Sequence, residues 1–433
     1  MSGAIIFAIL VALLLTGMPI SIALGLTVLA FLALVSSLSL DTISIVSQKL
    51  FTGLDNFAIM AIPFFVLSGT FLATGGAARR IIRFATTLVG WMHGGLAMAA
   101  VLSCAFFAAI SGSSPATVVA IGSIMLPAMA QQGYSKKFAV GVIATSGGMG
   151  ILIPPSIVLV IYGVSTSESI GKLFIAGIVP GILMAIALLA VTYLVARRRG
   201  FPTLPRASLR EVWEAFRDAA WGLVLVVVVI GGIYGGFFTP TEAAAVSAVY
   251  AFFVAVFVYK ELAWKEVPKA LLDAANMSAM LLYIITNAIL FSFLLTTENI
   301  PQHLAQWIIA QGLSPWMFLL FVNVLLFFAG DFMEPSSIIL ILAPLFLPVA
   351  HSLGIDPIHL GIIMAINMEL GMITPPVGLN LYVASGLTKM GLTDVTKAAA
   401  PWILVVTAVL LLVTYVPEIA LWLPNLLYGA PPR

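Results

Sequence analysis

Residues 105–184 and 326–405 of this 433-residue chain read as two copies of one segment, set 221 positions apart. Phe106-Phe107-Ala108 falls on Phe327-Phe328-Ala329, Gly133 on Gly354 and Gly150 on Gly371. Five proline pairs keep the offset without a gap: Pro19/Pro240, Pro127/Pro348, Pro154/Pro375, Pro155/Pro376 and Pro180/Pro401. Leu, Ala and Val match by accident in so apolar a chain, but composition alone predicts only about one such proline pair. Duplicated hydrophobic segments broken at matching positions are the pattern of transporters whose sites lie near the membrane midplane.

The chain is 62% hydrophobic and 8% charged, with a mean hydropathy of +1.16. A soluble protein carries about 25% charged residues, so one aqueous core cannot hide this much apolar surface and the lipid bilayer must be the solvent. A net charge of +2, with no basic stripe, excludes nucleic acid as a partner. The N-terminus lacks the basic flank and cleavage site of a secretory signal and reads as a retained membrane segment. Crossing segments are expected near 4–16, 20–36, 57–75, 138–163, 173–196, 222–238, 241–258, 274–296, 359–385 and 400–423. The first two are kept separate, rather than joined as one kinked helix, because Pro19 pairs with Pro240 between two clear spans. Thr239 and Glu242 have the spacing of a capping box at the start of the second of those spans.

Two regions, 91–129 and 316–350, read instead as re-entrant hairpins. Their arms of about 13–19 residues flank the polar tips Ser111-Gly112-Ser113-Ser114-Pro115 and Gly330-Asp331-Phe332-Met333-Glu334-Pro335-Ser336-Ser337. On this map every basic cluster lies on one side, taken as the cytoplasm: Arg79/Arg80/Arg83, Lys136/Lys137, Arg197–Arg199 with Arg206, Arg210 and Arg217, Lys260/Lys265/Lys269, and Lys389/Lys397. Both termini then lie on the other side. The first hairpin opens to the cytoplasm and the second away from it, so the repeats are inverted. The expected fold is an all-α polytopic membrane protein. Its first repeat covers 1–200, with a broken helix at 138–163, and a cytoplasmic linker covers 201–221. The second repeat covers 222–424, with a broken helix at 359–385.

Each copy pairs a polar tip with a broken helix. Consecutive prolines, Pro154-Pro155 and Pro375-Pro376, remove backbone donors and exclude helix just before them, which frees nearby carbonyls as ligands. Such carbonyls, with side-chain oxygens, can coordinate Na⁺. The cation-binding candidates are Ser111, Gly112, Ser113, Ser114, Ser146 and Gly150 in the first copy. In the second they are Asp331, Glu334, Ser336, Ser337, Asn367, Gly371 and Thr374. The substrate-binding candidates are Ser113, Ser114, Pro154, Pro155, Ser336, Pro375, Pro376 and Asn380. The competing reading is that Gly and Pro only kink buried helices while Ser, Thr and Asn bond across them. Duplication of the whole constellation favours function.

No Lys or Arg occurs at 84–135, 138–171 or 270–388. An anionic substrate bound in these segments would rely on half-helix N-termini and on co-bound Na⁺, which is a physical reason for coupling. Asp331, Glu334 and Glu369 have no acidic partner in the first copy, and intramembrane carboxylates point to function by default. They are open to strengthening a cation site or taking up a proton, and Glu369 also to facing an interdomain surface. Cys104 reads as a small buried residue. His93, His303, His351 and His359 lie near expected membrane edges without metal-ligand spacing, so no transition-metal site is expected. Trp91, Trp316, Trp402 and Trp422 read as interface anchors, and Gln302–Gly312 as a surface helix.

The first tip, with Phe106-Phe107-Ala108-Ala109-Ile110 before it, and the run Gly147-Gly148-Met149-Gly150-Ile151-Leu152-Ile153-Pro154-Pro155-Ser156 resemble the large membrane subunit of TRAP transporters (tripartite ATP-independent periplasmic transporters, DctM-like). Gly354-Ile355-Asp356-Pro357 through Thr374-Pro375-Pro376-Val377-Gly378-Leu379-Asn380-Leu381 resembles it equally well. The likeness runs over nearly the whole chain. It implies an elevator-type secondary transporter in a bacterial inner membrane, with Na⁺ as the coupling ion and no cofactor. It implies two protein partners, a small four-helix TRAP membrane subunit and a periplasmic solute-binding protein that delivers an organic acid anion. It also places cation sites at the tips and breaks. Glu334 stands where many relatives are expected to carry Asp. The chain is expected to be the form unfused to the small subunit, and C4-dicarboxylates, sugar acids, sialic acid and keto acids all remain open as cargo. A stand-alone sodium/carboxylate symporter is the alternative. A membrane enzyme lacks a nucleophile–base pair or metal motif, and a passive channel has no need of two oppositely opening hairpins.

Overall fold

The computed structural model describes residues 2–36, 40–331 and 333–429, and no strand occurs among them. Phe332, in the second tip, lies outside the described residues. Two helices open the chain, α1 (Ser2–Leu15) and α2 (Ile20–Phe31), separated by Gly17 in the left-handed region at φ +81°. They are not one kinked helix. A π-helical turn at Leu32–Ser36 ends α2, and α3 (Leu40–Thr52) follows. A 3-10 turn at Phe57–Met60 leads into α4 (Ala61–Thr74), then α5 (Ala77–Val89). The helical hairpin α6 (Gly95–Ser111) and α7 (Ser114–Gln131) comes next. The first broken helix is α8 (Lys136–Ser146), a 3-10 turn at Gly147–Ile151, and α9 (Ile157–Thr166). The long α10 (Ile170–Arg199) closes the first half.

The second half begins with α11 (Leu209–Tyr234), capped by Ser208 and Glu211. That start falls within 201–221, so only the first part of the expected linker is extended. In α12 (Pro240–Phe253) the capping box of Thr239 and Glu242 is present, and a π-helical turn at Val254–Val258 follows. Then come α13 (Val267–Thr297) and α14 (Ile300–Ala310), the latter close to the expected surface helix. The second hairpin is α15 (Pro315–Gly330) and α16 (Pro335–Ser352). The second broken helix is α17 (Pro357–Met372) and α18 (Leu379–Thr388). The chain ends with α19 (Leu392–Tyr415) and α20 (Glu418–Tyr428). The offset of 221 carries α7 onto α16 to the residue. It carries α2 and its π-turn onto α12 and its π-turn within one residue.

Among the described residues, eight helices are long and apolar enough to cross a membrane, and α7 and α16 are two of them. The architecture is an all-helical polytopic membrane protein. Length alone misses the broken helices, because each half of a break is too short to span by itself. Apolar side chains such as Ile186 and Val227 point outward, as expected of surfaces facing lipid. On one side α4 packs against α12 and α13, and α2 against α13. On the other, the hairpins and broken helices pack together and against α10 and α19.

Two side chains sit deeper than their types suggest. Trp402 is no interface anchor: it is buried, and its Nε1 donates to Thr192 Oγ1 at 2.8 Å, tying α19 to α10. His359, in the first turn of α17, is buried. It is 2% exposed, with Nε2 2.8 Å from Val413 O.

Candidate functional site

The first tip is shaped by Gly112, in the left-handed region at φ +58°. A Cβ there would stand 2.8 Å from Pro155 O, so glycine lets the tip rest directly on the break. Ser113 is the extended N-cap residue of α7, and its carbonyl accepts the Thr117 hydroxyl at 2.9 Å. Ser111 Oγ lies 2.8 Å from Thr117 Oγ1. Gly150, in the 3-10 turn, packs on the Ser113–Ser114 peptide, where a Cβ would meet Ser113 C at 2.8 Å.

The second copy makes the same junction with different atoms. A Cβ on Gly371 would stand 2.6 Å from Gly330 Cα. The Val377 N–H donates to Asp331 O at 3.2 Å. Glu334 caps α16: its Oε2 accepts from the Ser337 N–H at 3.3 Å, and the Ser336 hydroxyl donates to Oε1 at 2.8 Å. The Thr374 hydroxyl donates to Leu370 O at 2.5 Å. Both Pro154–Pro155 and Pro375–Pro376 peptides are cis.

Two of the contacts between the copies involve the tips and breaks. Asn380 Nδ2 donates to Ser114 Oγ at 2.7 Å. Gly148 lies against Glu369, where a Cβ would meet Glu369 Cγ at 2.6 Å. These two are equivalent positions under the 221 offset, so the copies touch through the same place in each.

Among the described residues, eight buried side-chain oxygens lack a hydrogen-bond partner, and seven of them belong to the tips and broken helices. They are Ser146 Oγ, Asp331 Oδ1, Ser337 Oγ, Asn367 Oδ1, Asn380 Oδ1 and both carboxyl oxygens of Glu369. Buried polar atoms are normally paired, so a cluster of orphans points to a missing partner. All are oxygens, which suits a hard cation rather than a thiolate- or imidazole-loving metal. Asn367 is held in place by its Nδ2, which donates to Asn323 Oδ1 at 2.8 Å and Ile363 O at 2.9 Å. Asn323 Nδ2 in turn donates to Thr414 Oγ1 at 3.1 Å.

A cavity of about 730 Å³ lies between the tips. Gly112, Ser113 and Ser114 of the first tip and Glu334, Pro335 and Ser336 of the second share its wall. Of the substrate-binding candidates, Ser113, Ser114 and Ser336 line it, whereas Pro154, Pro155, Pro375, Pro376 and Asn380 do not. Of the cation-binding candidates, Gly112, Ser113, Ser114, Glu334 and Ser336 line it, and Ser111, Ser146, Gly150, Asp331, Ser337, Asn367, Gly371 and Thr374 do not. The lining also includes Met277 and Met280 of α13, Arg79 of α5 and Glu261. Sequence reasoning gave Arg79 only to membrane orientation and did not single out Glu261. The signal available was α5 itself, whose arginines alternate with the buried Ile81, Ile82, Phe84 and Ala85.

A family model described as tripartite ATP-independent periplasmic transporter, DctM component, matches residues 7–419. The chain is 62% identical over 441 residues to the C4-dicarboxylate TRAP transporter large permease protein DctM of Rhodobacter capsulatus, covering 99% of this chain and 100% of that one. It is 43% identical over 419 residues to the isethionate TRAP transporter permease protein DctMQ of Oleidesulfovibrio alaskensis, covering 96% of this chain and 66% of that longer relative. The solved structure of Neisseria gonorrhoeae MtrF superposes with a TM-score of 0.63 at 14% identity, covering 89% of this chain and 85% of that one. At that identity the likeness speaks for the fold alone.

Proposed function

Since the chain belongs to the DctM component family of tripartite ATP-independent periplasmic transporters, we propose that it is the sodium-coupled permease of an importer of organic acid anions, with C4-dicarboxylates as the cargo. It is a transporter component of the bacterial inner membrane and not an enzyme. The partners in this reading are a periplasmic binding protein that selects the acid and a small membrane subunit. The relative named DctMQ, of which this chain covers about two thirds, supports a second membrane component.

The observation that carries the reading is the cavity shared by the two tips, together with the orphaned oxygens of the tips and breaks. A carboxylate in the cavity would meet the hydroxyls of Ser113 and Ser114 and the N-terminus of α7, which has no side-chain cap and favours negative charge, whereas Glu334 already holds the N-terminus of α16 and the Ser336 hydroxyl. Na⁺ is a co-transported substrate here. Bound to the oxygens of Ser146, Asp331, Ser337 and Asn367, it would hold tip to break and offset the charge of the cargo. Neither ion is then stable in the site alone, which couples their movements.

In this proposal the two halves are inverted repeats, and α6–α7 and α15–α16 are re-entrant hairpins. The tips rest on the breaks inside the protein, where non-helical backbone is tolerated. The hairpins and broken helices move as one body along a scaffold of α2, α4, α11, α12 and α13, carrying the site between the two sides.

The test is uptake into proteoliposomes that hold this chain and its small subunit under an inward sodium gradient. Radiolabelled acids are offered with and without the cognate binding protein. Uptake is expected to require both sodium and the binding protein. Sodium-driven uptake without the binding protein would replace this reading with a stand-alone symporter, and sodium-independent uptake would remove the cation sites.

A further inference from the structure

The cavity wall carries one cationic side chain among the described residues, Arg79. It comes from α5, outside the segments that form the tips and breaks. Arg79 and Arg80 share one carboxylate partner, Glu261. Arg80 grips Glu261 tightly: Nη1 lies 2.6 Å from Oε1, donates also to Gly76 O at 3.0 Å, and the guanidinium stacks 3.9 Å from the Tyr259 ring centroid. Arg79 holds the same carboxylate loosely, with Nη2 3.6 Å from Oε2. Its side chain is 73% exposed, against 24% for Arg80. One carboxylate cannot neutralise two arginines, so this end of the cavity keeps a net positive charge.

We infer that Arg79 is a substrate-binding residue: at the cytoplasmic mouth of the cavity it exchanges the Glu261 carboxylate for a carboxylate of the transported acid. The proposal rests on the organic-acid reading above and adds a residue and a step to it. Arg80, clamped by three contacts, keeps Glu261 in place as the competitor. A long, exposed ion pair is easily surrendered because water already screens it. Guanidinium offers a carboxylate two parallel donors, a geometry an ammonium lacks. Cargo arriving at the tips thus meets its first fixed cation on the way out. The return of Glu261 to Arg79 then helps expel it, which avoids a tight dead end on the release side. Membrane orientation alone would explain a charge at this position. It would not explain the placement of that charge on the wall of the cavity beside a carboxylate already satisfied by its neighbour.

The experiment is counterflow of radiolabelled succinate in proteoliposomes containing the permease and its small subunit, comparing the wild type with Arg79→Gln, Arg79→Lys and Glu261→Gln. Half-saturation is measured separately for succinate on the face of Arg79 and for succinate delivered by the binding protein. Arg79→Gln is expected to raise the Arg79-face value tenfold or more and leave the delivered value within twofold. Arg79→Lys should recover part of the loss, and Glu261→Gln should lower the Arg79-face value. A purely structural or orienting role would reduce folded protein or shift both faces together, so equal changes on the two faces overturn the assignment. An unchanged Arg79-face value in Arg79→Gln overturns it as well. If the wild type itself moves no organic acid from either face, the transport reading has failed and takes this assignment with it.

Discussion

Gly371 and Gly330 meet backbone to backbone where the second tip rests on the second break. The Cβ of Gly371→Ala would fall 2.6 Å from Gly330 Cα, where no flexible side chain is available to yield. The variant is expected to insert and fold but to lose sodium-driven uptake. Gly386→Ala, which meets nothing within 4 Å, should keep it; loss in both variants would show that helical glycines matter here for some other reason. Asp331 is the acidic member of the orphan set behind the second tip, apart from Glu369. Asp331→Asn keeps the shape and removes the charge. It should raise the half-saturating sodium concentration about tenfold, or ~1.4 kcal/mol, and an unchanged sodium curve would take Asp331 out of the cation site. The serines and glycines of these contacts were legible in the sequence, because duplicated Gly, Ser and Pro stand out against an apolar background. The Arg79–Glu261 pair was not, because nothing local marks a contact between residues 182 positions apart. Trp402 was misjudged for a similar reason: tryptophan at a span end usually faces the membrane interface, and only the packing of α19 on α10 reveals its burial.

The broken helices are the elements that sequence specifies best. Paired prolines withdraw two donors at a fixed place, and no tertiary contact can restore them. How each half-helix restarts was less legible, since the two copies solve it differently. In the first, Ser156 caps α9: its Oγ accepts from the Leu159 N–H at 3.4 Å and donates to Ile151 O. At the equivalent place Val377 has no such oxygen, and its N–H turns instead to Asp331 O in the tip. Ser156→Ala should therefore cost about 1–2 kcal/mol of stability. A lower melting temperature in detergent is the expected readout, with Ser156→Thr largely restoring it. An unchanged melting temperature would mean that the cap adds nothing beyond the fixed turn. The amphipathic α5 had no counterpart in the sequence expectations, because a hydropathy scan passes over a short helix with arginine on one face. Yet this element brings the cavity its cation.

For the whole molecule, the offset of 221 made two matching halves legible, whereas sliding of one body along another is a property of packing that no repeat encodes. Ile110, beside the first tip, packs on Gly222 of α11, where a Cβ would lie 3.6 Å from Ile110 Cδ1. Cysteines at both positions, in a chain whose buried Cys104 has been replaced by Ala, are expected to be joined by a short bifunctional methanethiosulfonate reagent in a reducible crosslink that stops uptake. Reductant should bring uptake back; full uptake with the crosslink formed would rule out relative movement of these bodies. Gly148 and Glu369 pose a different question, one of ancestry. Two copies of one segment that touch at the same position in each confront themselves there. With Glu in both, two carboxyl groups would compete for one space; with Gly in both, the space would stand empty. Identical halves could not fill it well either way. Descent from a duplicated ancestor must therefore have been followed by divergence at this point, one copy supplying the side chain and the other the room for it.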